Sequence, residues 1–392
     1  MFARYSSARK AVAHFFAFTA MLWLAACDTT IAPDANVGQG IDPGDPVPVA
    51  LLVPRGSGNA NDDLLSQHLE NAARLAIADL EGATIELRVY STASDPATAA
   101  AAAVTAVNDG AKIILGPLYS EASNAAGVAV AGRNVNVLSF SNTTSIAGGN
   151  VFVLGATFEN TANRLVQYGV RNGISRYLIA YGADDGGQVG SQAIARAIQN
   201  NGAQVVATES YPLTHQGIYS STRRIATSVR SSGAQAVFTT ASASADLPII
   251  TTSLRDTGMS ESVKFIGLTR WDALPQLYAL PSVQGGLFAM PDQSTATLFE
   301  NRYSATYGEK PHPLAGLAYD GIAAIGALVA AGNTEALTKA ALTSPQGFSG
   351  TSGVFRLLPN GLNERALAIA TIQENQVTVL EQAPRSFGAA GL

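Results

Sequence analysis

Small hydroxyl and amide side chains follow two successive apolar runs of the sequence, where they would be able to bind a ligand. The first run, 112–115, is followed by Ser120 at the expected N-cap of a helix, and the second, 135–140, leads into the polar loop 141–145. Open α/β sheets bind ligands at the carboxyl ends of their parallel strands, where backbone N–H groups are free. The pattern predicts a binding edge there. It also suits two ordinary strand-to-helix turns whose hydroxyls only cap helices, and both interpretations stay open.

The elements that would hold these loops alternate between strand and helix patterns. Five apolar strand patterns lie within 49–156, and the alternation starts again with a helix at 161–172. Such alternation predicts mostly parallel sheets with right-handed crossovers. The Gly- and Asp-rich segment 182–190 is predicted to be a loop, followed by a helix over 191–200. Further strands are expected at 353–357 and 366–374, joined as a closing hairpin by the turn Pro359-Asn360-Gly361.

Length and composition predict two domains and exclude one class of partner. The chain has 392 residues, of which 47% are hydrophobic and 14% charged, so sizeable cores are available. The formal net charge is −5. Nucleic-acid binding proteins usually carry a basic face, so nucleic acid is excluded as a main partner.

Cys27 is the single cysteine, and it ends a segment typical of exported lipoproteins. Residues 1–27 combine a basic start, a short apolar stretch over 11–24 and the lipobox-like sequence LAAC. We expect the mature chain to begin at acylated Cys27 and to be attached to a periplasmic membrane surface through its lipid. Residues 28–48, rich in Pro, Gly, Asp and Asn, are predicted to be a flexible tether.

No pattern for catalysis or for a cofactor is found in the sequence. His68, His215 and His312 show no metal-ligand spacing, and the motifs of serine hydrolases and phosphate-binding loops are missing. Asp184 and Asp185 form either a carboxylate pair or part of a solvated loop. We therefore expect a protein that is not an enzyme and that needs no cofactor or metal.

Several blocks of the sequence resemble the type 1 periplasmic binding proteins, the fold of leucine/isoleucine/valine receptors. These blocks are GPLYSEAS at 116–123, VLSFSNTTS at 137–145, LAYDGIAAIGALVAAG at 317–332 and GVFRLLPNGLNERALAIATIQ at 353–373. The resemblance implies an α/β fold of two Rossmann-like lobes with parallel sheets, joined by a multi-strand hinge. It implies one lobe from 49–160 and 290–342, a second from 161–289 and 343–383, and a tail at 384–392.

Within that fold, the sequence is most similar to lipoproteins that activate penicillin-binding proteins. The similarity rests on the lipobox, RWDALPQL at 270–277, QGGLFAMPD at 284–292 and the block 342–361. It implies a non-catalytic regulator of peptidoglycan synthesis with a bifunctional penicillin-binding protein as its partner. Trp271, with Arg270 and Tyr278, is either an exposed anchor for that partner or part of the lobe's packing.

The resemblance also implies ligand contacts in the cleft between the lobes. A ligand carboxylate would be held at Ser120 and in the next loop at Ser141, Asn142 and Thr143, and its ammonium by Asp246. Amino-acid receptors carry an aromatic residue near position 186, where this chain has glycine. The alternative function is a receptor that delivers an amino acid or related small polar solute to an ABC importer. A third alternative is a sensory or structural lipoprotein.

Overall fold

The first sheet is built from the start of the folded chain and consists of parallel strands only. The computed structural model describes residues 37–388. Five strands pair in the order β2-β1-β3-β4-β5. The elements are β1 Val47–Val53, α1 Ala60–Ala78, β2 Ile85–Ser91, α2 Pro96–Asn108, β3 Ile113–Leu115, α3 Ser120–Val130, β4 Asn136–Ser139 and β5 Val151–Val153.

Local sequence explains where these helices begin. The side chain of Asn59 accepts a hydrogen bond from the N–H of Asn61 at the start of α1, and Asp95 accepts from Thr98 ahead of Pro96. Such caps satisfy N–H groups that have no partner within the helix. At α3 the sequence predicts the cap at Ser120, but the helix already begins there and its cap is Tyr119, which makes no side-chain capping bond.

The second sheet has seven strands, in the order β15-β14-β10-β9-β8-β6-β7. Strands β6 to β10 run parallel to one another, whereas β14 is antiparallel to both β10 and β15. The first elements of this part are α4 Phe158–Arg171, β6 Arg176–Gly182, α5 Asp185–Asn200, β7 Gln204–Tyr211, α6 His215–Ser232, β8 Ala236–Thr239, α7 Leu247–Asp256, β9 Lys264–Gly267 and β10 Leu287–Met290.

The chain then returns to the first lobe before it completes the second sheet. The remaining elements are α8 Gln293–Tyr307, α9 Gly316–Ala330, α10 Lys339–Leu342, β11 Phe348–Gly350, β12 Gly353–Leu357, β13 Asn363–Arg365, β14 Ala368–Gln373 and β15 Gln376–Glu381. The chain thus passes between the lobes at 154–157, 291–292 and 366–367. This is the two-lobed α/β fold with mostly parallel sheets that the sequence predicts.

One stretch that is predicted for the second lobe belongs to the first. Phe348, Phe355 and Leu357 are buried in the same hydrophobic core as β1 and α9. The predicted closing hairpin pairs 353–357 with 366–374, but β12 pairs instead with β11 and β13. Alternating residues predict that a strand exists but do not identify the strand beside it.

Both ends of the described chain pack more closely than predicted. Within the expected tether, Ile41 is buried and its N–H donates to the carbonyl of Thr334 at 3.0 Å, so the folded part already includes 37–48. In the expected tail, Phe387 is buried with the guanidinium of Arg356 over its ring. These single apolar residues lack periodicity, so no sequence signal marks them. Residues 1–36, which include Cys27 and the predicted export segment, lie outside the described residues.

No helix within 37–388 combines the length and the apolar character that crossing a membrane requires.

Candidate ligand-binding site

A cavity of about 460 Å³ opens at the carboxyl edge of the second sheet. Three strand-to-helix connections surround it: β6 to α5, β7 to α6, and β8 to α7. This is the edge at which parallel sheets bind ligands. The lining residues are Phe158, Gly182, Asp184, Gly186, Gly187, Leu213, His215, Ile218, Thr240, Ser242, Ala245, Asp246 and Ile249.

Asp246 is the most firmly held polar group of this cavity. Its side chain is only 5% exposed, and its Oδ2 accepts a hydrogen bond of 2.6 Å from the hydroxyl of Tyr211. Its Oδ1 accepts from the N–H of Ser242 at 2.7 Å. Burial and the neighbouring Asp246 carboxylate raise the pKa of Tyr211 well above its ordinary value, so the hydroxyl remains a donor. Asp246 is thus a fixed acceptor at the site where the sequence predicts an ammonium contact.

The Gly- and Asp-rich segment after β6 is the beginning of a helix, which corrects the prediction of a loop over 182–190. Asp184 caps α5, because its side chain accepts a hydrogen bond of 2.8 Å from the N–H of Gly187. Gly187 must be glycine, since a Cβ there would lie 2.0 Å from the carbonyl oxygen of Gly182. Asp184 therefore serves as a helix cap instead of forming a catalytic pair with Asp185.

The predicted contacts of the first lobe lie at the carboxyl edge of the first sheet. Ser120 follows β3 and Ser141, Asn142 and Thr143 follow β4, and these strands are parallel neighbours. Ser141 is 5% exposed, and its hydroxyl accepts a hydrogen bond from the N–H of Thr143 at 3.1 Å. Its own N–H donates to the hydroxyl of Ser139. The loop is therefore held by hydroxyls of Ser139 and Ser141, although these hydroxyls do not cap a helix.

The two groups of predicted residues occupy different sheets. Asp246 lines the cavity of the second sheet, whereas Ser120 and the loop 141–143 are not among its lining residues. Asn142 is exposed, and Ser120 and Thr143 are half-buried. Their contact with a ligand stays a prediction.

A hydrogen-bonded cluster centred on Asp62, which no sequence pattern indicates, lies at the carboxyl edge of the first sheet. The carboxylate of Asp62 is buried and accepts hydrogen bonds from the hydroxyls of Tyr119 at 2.6 Å, Ser57 at 2.7 Å and Ser94 at 2.7 Å. Burial opposes ionisation, but the three hydroxyls outweigh it, so the pKa of Asp62 lies below its ordinary value. The loops after β1, β2 and β3 are thereby tied to a single carboxylate.

The cavity in the second lobe also contains residues that the sequence does not single out. Small hydroxyl side chains follow β8 at Thr240 and Ser242, as they follow β4 at Ser141 and Thr143. This recurrence is the sequence signal that could have identified Thr240 and Ser242. Leu213 and His215 follow β7 without any comparable pattern. Within 37–388 no group of three or more His, Cys, Asp or Glu side chains is arranged to hold a metal ion.

Trp271 is buried, so the hypothesis that it is an exposed anchor is wrong. Its side chain is 0% exposed and stacks on Phe288 with ring centroids 5.9 Å apart. A Cβ at Gly267 would lie 2.1 Å from its Nε1, and one at Gly286 would lie 2.4 Å from its ring. Two glycines thus make the space that the indole fills, and Trp271 has the packing role.

Comparisons with known proteins agree with this architecture. A structure of a putative branched-chain amino acid ABC transporter protein from Rhodospirillum rubrum matches with a TM-score of 0.71 at 19% identity, covering 86% of this chain and 100% of that one. An ABC transporter substrate-binding protein from Desulfitobacterium hafniense in complex with Leu matches with a TM-score of 0.59 at 19% identity, covering 86% and 100%. A solute binding protein of an ABC transporter from R. palustris, in complex with 4-hydroxybenzoate, matches with a TM-score of 0.56 at 17% identity. The match covers 88% of this chain and 97% of that one.

The search of curated proteins found no match. A protein-family model described as "Periplasmic binding protein" matches residues 46–376, which is most of the chain. Together with the two lobes and the cavity at the carboxyl edge of a parallel sheet, this match shows that the chain belongs to the periplasmic binding protein family.

Proposed function

We propose that this protein is a non-catalytic receptor that binds a small solute between its two lobes and delivers it to an ABC importer. The observation that carries this proposal is the cavity of about 460 Å³ with the fixed Asp246 carboxylate in its wall. Concave sites of this size with an apolar lining and a few held polar groups are typical of small-molecule binding. Solved structures with the same fold include proteins named for ABC transport, one with Leu and one with 4-hydroxybenzoate bound.

The proposed mechanism is closure of the lobes around the solute. The ligand would contact Asp246 on the second lobe and Ser120, Ser141, Asn142 and Thr143 on the first. A ligand favours the closed arrangement only by the difference in its affinity for the two states. The three connections at 154–157, 291–292 and 366–367 are the places where the backbone would bend.

The test is binding of defined solutes to the full chain, measured by thermal shift and by calorimetry. The panel contains leucine, 4-hydroxybenzoate, Leu-Leu and Leu-Leu-Leu. A solute at a hundred times its dissociation constant adds about 2.7 kcal/mol to the free energy of unfolding. The variant Asp246→Asn should weaken binding by at least tenfold, while the exposed control Arg270→Ala should not. A panel in which nothing binds contradicts the proposal.

We also propose that Cys27 carries the lipid that attaches the protein to a periplasmic membrane surface. The sequence LAAC ahead of Asp28 supports this. Labelled fatty acid should be incorporated into the wild-type chain in cells and not into Cys27→Ser. Equal labelling of both chains would contradict the assignment.

The alternative function is activation of a bifunctional penicillin-binding protein. The sequence blocks 270–277, 284–292 and 342–361 favour it. The burial of Trp271 counts against it, since the predicted docking anchor is inside the lobe. A co-purification from native membranes and a synthase rate assay would test it. Capture of such a synthase, with an increased rate and no solute bound by any panel member, would favour the regulator.

A further inference from the structure

We propose that the cavity in the second lobe takes a short apolar peptide, larger than a single amino acid, and that Gly186 sets this size limit. The inference rests on the proposed solute-binding function and adds a ligand class and a specificity-determining residue. It follows from the space around Gly186, from the volume of the cavity and from the chemistry of its wall.

Gly186 is the one glycine of the first turns of α5 that the protein's own packing does not require. A Cβ at Gly187 would lie 2.0 Å from the Gly182 carbonyl oxygen, and one at Gly190 would lie 2.9 Å from Leu268 and Thr240. At Gly186 the nearest atom is Asp184 Oδ2 at 3.9 Å, an ordinary van der Waals distance, and φ is not positive. A larger side chain would therefore fit, and it would project into space that a ligand now has available.

Glycine at this position is also unfavourable for the helix. Glycine is less favourable than alanine in a helix, by about 1 kcal/mol at interior positions, and Gly186 is the second residue of α5. Neither steric necessity nor helix propensity accounts for Gly186, whereas both Gly187 and Gly190 have a steric reason. Gly186 is exposed and lines the cavity, so its missing side chain leaves the backbone of α5 accessible from the cavity.

The volume of the cavity exceeds the need of a single amino acid. An apolar cavity of about 150 Å³ accommodates a benzene molecule. The cavity of about 460 Å³ is roughly three times as large as that, and residues of the second lobe alone line it. A side chain the size of leucine would occupy only a fraction of this space.

The wall chemistry selects the ligand's character. Phe158, Leu213 and Ile249 supply apolar surface, and Leu213 is 48% exposed. Asp184 and Asp246 supply carboxylate oxygens, and His215 is the only basic side chain among the lining residues. A ligand carboxylate facing this wall would meet like charge with no arginine or lysine beside it. A peptide with apolar side chains matches both properties of this wall. Its amide N–H groups or terminal ammonium can donate to the carboxylates, and its side chains can pack on the apolar surface.

The test measures binding of leucine, Leu-Leu, Leu-Leu-Leu and 4-hydroxybenzoate to the full chain by calorimetry. Two variants are compared with the wild type: Gly186→Leu, which fills the cavity, and the matched control Gly132→Leu. Gly132 is exposed on the first lobe and lies outside the cavity lining, and a Cβ added there would have no atom within 4 Å. Thermal unfolding confirms that both variants are folded.

We expect the wild type to bind Leu-Leu-Leu at least tenfold more tightly than leucine. Gly186→Leu should weaken the affinity for Leu-Leu-Leu by at least tenfold and change the affinity for leucine by less than twofold. Gly132→Leu should change neither affinity. Equal or tighter binding of leucine by the wild type overturns the size inference and leaves the proposed function standing. Binding of 4-hydroxybenzoate alone overturns the peptide class in the same way. Failure of every panel member to bind overturns the proposed function itself.

Discussion

Asp320 and Arg365 form an ion pair inside the protein, with 2.8 Å between Oδ2 and Nη1 and side chains that are only 1% and 7% exposed. Arg365 also donates to the carbonyl of Leu154, next to the first passage between the lobes, and Asp320 accepts from the N–H of Thr351 at 2.6 Å. The pair thus ties α9 to two of the three connecting segments. Each charge is held by further hydrogen bonds, as a buried ion pair requires.

We predict that Arg365→Met lowers the free energy of unfolding by about 3–5 kcal/mol, because it leaves the Asp320 carboxylate buried without its cation. Urea unfolding of the full chain measures this change. The double variant Asp320→Leu with Arg365→Met should be more stable than the single variant, since no unpaired charge remains. A single variant within about 1 kcal/mol of the wild type would show that the pair is unimportant.

The second prediction concerns Asp62 and pH. The pKa of Asp62 is below its ordinary value because the hydroxyls of Tyr119, Ser94 and Ser57 outweigh the effect of burial. Its ionised form therefore contributes stability that is present above the ordinary carboxyl pKa and is lost as the pH falls below it through the lowered pKa. The wild type should exceed Asp62→Asn in stability at pH 7, and this difference should shrink between pH 5 and pH 3. A pH-independent difference in urea midpoints would contradict this prediction.

The third prediction separates packing from docking at Trp271. Trp271→Ala should lower the free energy of unfolding by about 3–5 kcal/mol, because it removes a fully buried aromatic side chain and leaves a cavity. Arg270→Ala should change it by less than about 1 kcal/mol, since the Arg270–Asp272 ion pair is half exposed on the arginine side. Equal, small effects of both substitutions would place Trp271 at the surface after all.

The fourth prediction compares two adjacent glycines without any ligand. Gly186→Ala should raise the free energy of unfolding by up to about 1 kcal/mol, because alanine favours the helix and meets no close atom. Gly187→Ala should lower it, because the new Cβ would collide with the Gly182 carbonyl. Thermal unfolding of the two variants is the measurement. Destabilisation by both would mean that α5 tolerates no side chain at its start.

The strands and their parallel arrangement could be predicted from the sequence because they depend on short-range patterns. The apolar run that forms β3, Ile113–Leu115, and the polar residues after it are sufficient to place one loop of the first lobe. Asp246 lies between β8 and α7, and its expected contact with a ligand came from the resemblance to amino-acid receptors and not from such a pattern. Such local signals fix which residues sit at a sheet edge.

What the sequence did not reveal depends on residues far apart in the chain. The burial of Trp271 requires that Gly267 and Gly286 have no Cβ atom. No sequence pattern indicates that either glycine contacts the indole. Asp62 is held by hydroxyls from three different loops. The strand β12 was predicted in the wrong lobe because its alternation is compatible with either neighbour. In each case the deciding contact is tertiary, so no window of sequence contains it.

The position of β14 has a consequence for the order in which the protein can be assembled. This strand lies between β10 and β15, although about eighty residues separate β10 from it in the chain. A growing polypeptide that has emerged only as far as residue 360 has all the strands of the five-stranded sheet. The edge of β10, however, is still unpaired, and unpaired edges promote aggregation. The second lobe must therefore wait until β14 has been synthesised, and a chain cut short before residue 368 would be a substrate for chaperones and proteases.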